Sequence, residues 1–251
     1  MAISLRRRRE APAVTPDTMT LTEHLTELRR RVLICAVTFL VTGTVAFILY
    51  NPILSFLKEP YVQAVGAKRA QFFITGPLDG LSLRVKIAAY GGLFLASPVL
   101  LWEFWRFITP GLNRNEKKYA IPFIGASILL FSLGGLVADL IFPHALRFLD
   151  AIGGPSLTQI LDPTKYLSLI VLMITVFGLT FLFPVVLVAL ELAGVLTPQK
   201  LSSWRRWAIV LIVVVAGVVV PSSDPFSMMA MAVPLYIFYE LSIVIGRIVK
   251  R

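Results

Sequence analysis

Charge is scarce in this chain, and so are cysteine and histidine. Only 15% of the 251 residues are Asp, Glu, Lys or Arg, whereas a soluble domain carries roughly 25%. A single cysteine, Cys35, excludes an intrachain disulfide. The two histidines, His24 and His144, lie too far apart to suggest a metal pair, so no metal and no cofactor is expected. Neither G-x-x-x-x-G-K-[ST] nor G-x-G-x-x-G occurs, which leaves an ATP-driven motor unsupported. H-E-x-x-H and G-x-S-x-G are missing too, and no nucleophile stands at a base-like spacing, so the chain is not expected to be an enzyme. Alternating strand-like segments of about ten residues, the mark of a membrane β-barrel, are absent.

What fills the chain is apolar: 57% of residues, with a mean hydropathy of +0.81. A spanning helix needs about 20 largely apolar residues. Six runs qualify or nearly so: Val32–Tyr50, Ile87–Trp102, Tyr119–Ala138 continuing to Pro143, Tyr166–Leu190, the short Trp207–Val220, and Pro225–Gly246. Continuous runs of this kind pair their backbone groups as helices. The expectation is an all-α polytopic membrane protein with six transmembrane helices over residues 20–247. Residues 1–19 and 248–251 are expected to be cytoplasmic tails. Arg6 to Arg9 in the first would lie beside anionic lipid. Thr20-Leu-Thr-Glu23 fits a capping box that opens a short amphipathic helix ahead of the first span. Pro98, Pro122, Pro143, Pro184 and Pro234 are read as kinks in packed helices.

A net charge of +10 would suit a nucleic-acid ligand, but the basic residues sit between apolar runs and not on one soluble face. Their distribution reads instead as topology. Seventeen of the 24 fall on one side if the N-terminus is inside, which predicts both termini in the cytoplasm. The stretches 53–85 and 143–165 would then be outer loops.

Ionisable groups at membrane depth are costly and mark function more often than structure. Asp139, Glu191 and Glu240 stand in apolar runs, and Asp224 lies in the turn Pro221-Ser-Ser-Asp-Pro225. Each has a structural alternative: a nearby Arg or Lys, with Arg247 for Glu240, or a turn cap for Asp224. Glu27 and Glu116 stand among basic neighbours near the inner surface. Two convergent carboxylates there would match two consecutive arginines, because a guanidinium fork binds a carboxylate bidentately and lysine does not. Pairing with their own neighbours, Arg30 and Arg31 or Arg114 and Lys117, is the competing reading.

Several stretches carry a resemblance. Leu21-Thr-Glu-His-Leu-Thr-Glu-Leu-Arg-Arg-Arg31 resembles the opening signature of the TatC family. Ser97-Pro-Val-Leu-Leu-Trp-Glu-Phe-Trp-Arg-Phe-Ile-Thr-Pro-Gly-Leu112, Phe177-Gly-Leu-Thr-Phe-Leu-Phe-Pro184 and Pro234-Leu-Tyr-Ile-Phe-Tyr-Glu240 are similar to it as well. The resemblance implies a concave, glove-like six-helix bundle that binds twin-arginine signal peptides and is driven by the proton-motive force. It places Glu27 and Glu116 on the arginine pair, with Phe107, Pro110 and Leu112 shaping the same site. Pro60 and Pro98 match structural prolines, and Asp224 and Glu240 match acidic positions late in the chain. The implied partners are single-span subunits of the TatA and TatB type, membrane lipid and further copies of the chain. Leu182 departs from the family pattern, which has Glu or Gln there facing the groove. A proton-coupled transporter of a small solute is the rival class, although no matched broken helices in two halves support it.

Overall fold

An apolar run in a solvent without water has one way to satisfy its own amides and carbonyls, and the backbone follows it throughout. The computed structural model describes residues 21–66, 70, 72–73, 76–108, 120–154, 162–192, 194–222 and 224–249. All regular structure among them is α-helical: α1 (Leu21–Ile48), α2 (Tyr50–Val65), α3 (Asp79–Ile108), α4 (Ala120–Gly153), α5 (Pro163–Phe181), α6 (Phe183–Leu192), α7 (Pro198–Ser203), α8 (Arg205–Val219) and α9 (Pro225–Val249). Five stretches are long and apolar enough to cross a bilayer: His24–Ile48, Asp79–Phe107, Ile121–Gly153, Pro163–Leu192 and Pro225–Ile248. The fifth expected span, α8, has 15 residues. At 1.5 Å per residue that is about 22 Å, short of a hydrocarbon layer of about 30 Å.

Three expectations change in detail. The short leading helix is not separate, since α1 runs unbroken from Leu21 through the charged turn into the apolar run. No proline or glycine stands between Arg29 and Cys35 to stop it. The stretch 53–85 is not simply a loop, because α2 occupies its first part, with Pro60 accommodated inside the helix. Gly66 at φ 84° ends α2 in a backbone conformation that favours glycine. The third run passes Asp139 and Pro143 and ends at Gly153. The capping box lies outside the described residues at Thr20, as does the Arg6–Arg9 tail.

Small residues set how closely the helices approach, as they do where lipid removes any hydrophobic drive to associate. At the α4–α5 crossing, a Cβ on Gly134 would lie 2.6 Å from the Phe177 carbonyl oxygen. At the α1–α3 crossing, a Cβ on Gly92 would lie 2.6 Å from Gly43 Cα. There the Thr42 hydroxyl donates to the Gly92 carbonyl at 2.8 Å. Between α4, α5 and α9 the core is filled by Phe142, Met173, Phe177, Phe181, Met231 and Ile243. At the opposite end from Glu27, Tyr166 packs its ring at a tilt against Tyr61 and Phe72 and donates its hydroxyl to the Leu57 carbonyl at 2.6 Å. Arg147 donates to the Gln63 carbonyl at 2.7 Å near the C-terminal end of α2. Asp162 caps α5, and the hydrogen bond from the Thr164 amide holds its carboxyl below the usual carboxylate range.

Candidate functional site at the α1–α3 ends

α1 and α3 run antiparallel, so residues early in α1 meet residues late in α3. Gly43 lies beside Gly92, Arg31 reaches Glu103, and His24 stacks on Phe107 with ring centroids 4.5 Å apart. Helical spacing puts His24, Glu27 and Arg31 on one face of α1 and Glu103 and Phe107 on one face of α3. The interface therefore gathers acids, bases and aromatics at a single end.

The Arg31 guanidinium sits between two carboxylates. Its Nη1 donates to Glu103 Oε2 at 2.9 Å, and its Nη2 pairs with Glu27 Oε1 one turn earlier. Glu103 is 8% exposed. Exposed ion pairs contribute little, whereas partly buried charges depend on a partner to offset lost hydration. Among the described residues, Glu27 Oε2 and Arg31 Nε are buried without a hydrogen-bond partner. Nearby, Trp105 fixes the end of α3 against α4 by donating to the Ser127 hydroxyl at 2.7 Å and stacking on Phe123.

Among the expected site residues, the structure brings Glu27 and Phe107 to this end. Glu116, Pro110 and Leu112 lie outside the described residues. Glu27 pairs with its own neighbour Arg31, the competing reading named above, but the pair extends to a third member that sequence reasoning missed. Glu103 was visible only as the flank of an apolar run. Its link to Arg31 spans 72 residues of chain, so no local pattern announces it.

The other carboxylates divide. Asp224 is 1% exposed and caps α9, accepting from the Ser227 amide at 2.7 Å and from the Ser222 hydroxyl. Glu240 pairs with Arg205 of α8 at 2.8 Å, and not with Arg247, which reaches Ser202. The reason is that α8 and α9 form an antiparallel pair, with Gly217 beside Met228 at one end and Arg205 beside Glu240 at the other. Glu191 is fully buried against Gly246, where a Cβ would lie 2.1 Å from its Oε2.

Asp139 has no ion pair among the described residues, and its Oδ1 is buried without a hydrogen-bond partner. It lines a largely apolar cavity of about 670 Å³ between α2, α3, α4 and α5, along with Phe94, Ser97, Ser132 and Thr175. Leu182 is half-buried at the break between α5 and α6, where its carbonyl accepts from the Val185 and Val186 amides. It is not among the residues that line the cavity.

Comparison with known proteins agrees with this architecture. Residues 23–234 match the family model described as Sec-independent protein translocase protein (TatC). The Sec-independent protein translocase protein TatC of Frankia casuarinae is 39% identical over 95% of this chain and 68% of its own length. That of Aquifex aeolicus is 38% identical over 93% of this chain and 97% of its own. A crystal structure of the twin arginine translocase receptor TatC, solved in the detergent DDM, superposes with a TM-score of 0.73. It is 37% identical and covers 89% of this chain and 99% of its own. A match across most of both chains, in sequence and in helix arrangement alike, establishes that this multi-pass membrane protein belongs to the TatC family of Sec-independent protein translocase proteins.

Proposed function

We propose that the chain is the signal-reading receptor of a twin-arginine translocase, with Glu27 and Glu116 as the carboxylates that take the arginine pair. The observation that carries this reading is the charged end of the α1–α3 pair. Glu27 there pairs with Arg31, which α3 holds through Glu103, and its second oxygen has no donor among the described residues. A guanidinium supplies two parallel donors to such a carboxylate, and an ammonium cannot reproduce that fork. Phe107, with Pro110 and Leu112 following it in the chain, would border the same site. Single-span subunits of the TatA and TatB type would dock around the later helices, near Leu182, Asp224 and Glu240, in a complex with further copies of this chain.

The test is photo-cross-linking of an Arg-Arg signal peptide in membranes, with a Lys-Lys peptide as control. Glu27→Gln should lower cross-linking about tenfold or more, the loss of roughly one charge-assisted bond of 1.5–3 kcal/mol. Combining it with Glu116→Arg should abolish the signal. Full cross-linking by the double variant would end this reading.

The proposed setting is the cytoplasmic membrane with both termini inside. The basic asymmetry supports it, and α8, which lies antiparallel along α9, would supply the sixth crossing. In a Cys35→Ser background, cysteines at Arg69 and Arg147 should react with an impermeant thiol reagent applied from outside. Labelling at Asn113 instead would invert the topology.

A further inference from the structure

Arg31 satisfies neither of its acids fully. A guanidinium has five donors in a planar fork, and a carboxylate accepts two of them side by side in its strongest geometry. Arg31 instead gives one Nη to Glu27 and the other to Glu103. This divided arrangement leaves Arg31 Nε and Glu27 Oε2 without partners among the described residues, although both are buried. A buried polar group left unpaired costs free energy comparable to a lost hydrogen bond. Among the described residues the resting cluster is therefore one guanidinium short: two carboxylates share the single cation Arg31.

We infer that Arg31 is a built-in stand-in for the ligand's arginine, and that Glu103 is the positioning residue that receives Arg31 when the ligand takes Glu27. The inference rests on the proposed reading of Glu27 as a signal-binding carboxylate. Its support is that the exchange repairs both defects at once. A ligand guanidinium on Glu27 brings a donor to Oε2. Arg31, released from Glu27, can turn its Nε and one Nη onto the two oxygens of Glu103. Two bidentate pairs then replace one divided one, and no charge is stranded in the partly buried site at any point. A lysine ligand gives a point charge without the fork, so it gains less from the same exchange. Glu103 need not touch the ligand. It acts by lowering the cost of moving Arg31 aside.

The test measures binding of a synthetic Arg-Arg signal peptide to the full chain in nanodiscs, with thermal midpoints recorded in parallel. Glu103→Gln removes the acceptor for Arg31, which then stays on Glu27, so binding should weaken on the order of tenfold. Arg31→Gln should do the opposite and tighten binding by about threefold or more, because the internal competitor is gone. A merely structural cluster predicts the reverse sign for Arg31→Gln, since two acids would be left facing each other without their cation. The Arg31→Gln, Glu103→Gln double variant should return to within about threefold of the unmodified chain. Unchanged binding by Glu103→Gln, or weakened binding by Arg31→Gln, would overturn the inference. If Glu103→Gln does not accumulate, Arg31→Gln alone decides by its sign. Glu27→Gln keeps the two readings apart. If it binds normally the site itself is misplaced, and if it loses binding while Glu103→Gln does not, only the exchange fails.

Discussion

Valine at Gly92 should drive α1 away from α3 and take signal-peptide binding with it. At this crossing a Cβ would stand 2.6 Å from Gly43 Cα and 2.7 Å from its nitrogen, and both are backbone atoms that no rotamer can move. The helices must separate, and the Thr42–Gly92 hydrogen bond breaks as they do. Overpacking of this kind costs about 1–3 kcal/mol, and the lost bond adds about 1 kcal/mol. α1 has little else to hold it, since Leu33, Val37, Leu40 and Val41 are all more than half exposed. The contact also sets the distant charges. Gly43 and Arg31 are about 18 Å apart along α1, and Gly92 and Glu103 about 16 Å apart along α3. A shift of one turn, about 5.4 Å, would carry Arg31 out of reach of Glu103. The expected result is a lower thermal midpoint in detergent together with loss of Arg-Arg cross-linking. Gly125→Val is the control, because nothing lies within 4 Å of a Cβ there. Normal midpoint and cross-linking in Gly92→Val would refute the lever argument.

Asp224→Ala should be the most damaging single change in the last hairpin. The carboxylate is 1% exposed and closes the turn from both sides, accepting from Ser227 N–H and Ser222 O–H. Alanine removes an N-cap worth about 0.5–2 kcal/mol and strands a buried amide at about 1–3 kcal/mol. Asparagine keeps an acceptor for the Ser227 amide, so Asp224→Asn should retain most of the stability. The pair of variants separates structure from chemistry when midpoint and export are read together. An acid needed only for the cap predicts export by Asn and failure by Ala. An acid needed for its charge predicts failure by both, with a normal midpoint in the Asn chain. An unchanged midpoint in Asp224→Ala would remove the cap argument.

Helix type and rough position were legible because they follow from local composition, and each apolar run did become a helix. What escaped the sequence lies in contacts between distant residues. Glu240 had Arg247 two turns away as an apparent partner, yet its cation is Arg205, brought near by the turn around Asp224. Residues 50–65 carry two prolines and a lysine, which read as loop. They form α2 because Tyr61, Leu57 and Pro60 find a buried face against the end of the bundle opposite Glu27. The break at Leu182 follows from Pro184, which cannot donate to the carbonyl four residues back. That much was readable as a kink, whereas a separate α6 was not. Glu27 was picked out by its place among basic residues and Phe107 by family resemblance, and their meeting at one end of the α1–α3 pair was not legible. Arg31 and Glu103 needed the structure, because a charge bridging two helices leaves no periodic trace in either.

The packing of α1 chiefly on α3 also has a consequence in time. Gly92 leaves the ribosome roughly 50 residues after Gly43, which at about 5–20 residues per second is a delay of some 2–10 seconds. Throughout that interval the first helix is a lone segment in the lipid, with no crossing partner yet synthesised. Glu27 and Arg31, two of its charged residues, stand one turn apart and can neutralise each other from the moment they emerge. The nascent chain thus carries its own temporary counterion, and Glu103 completes the triad only when the third helix arrives.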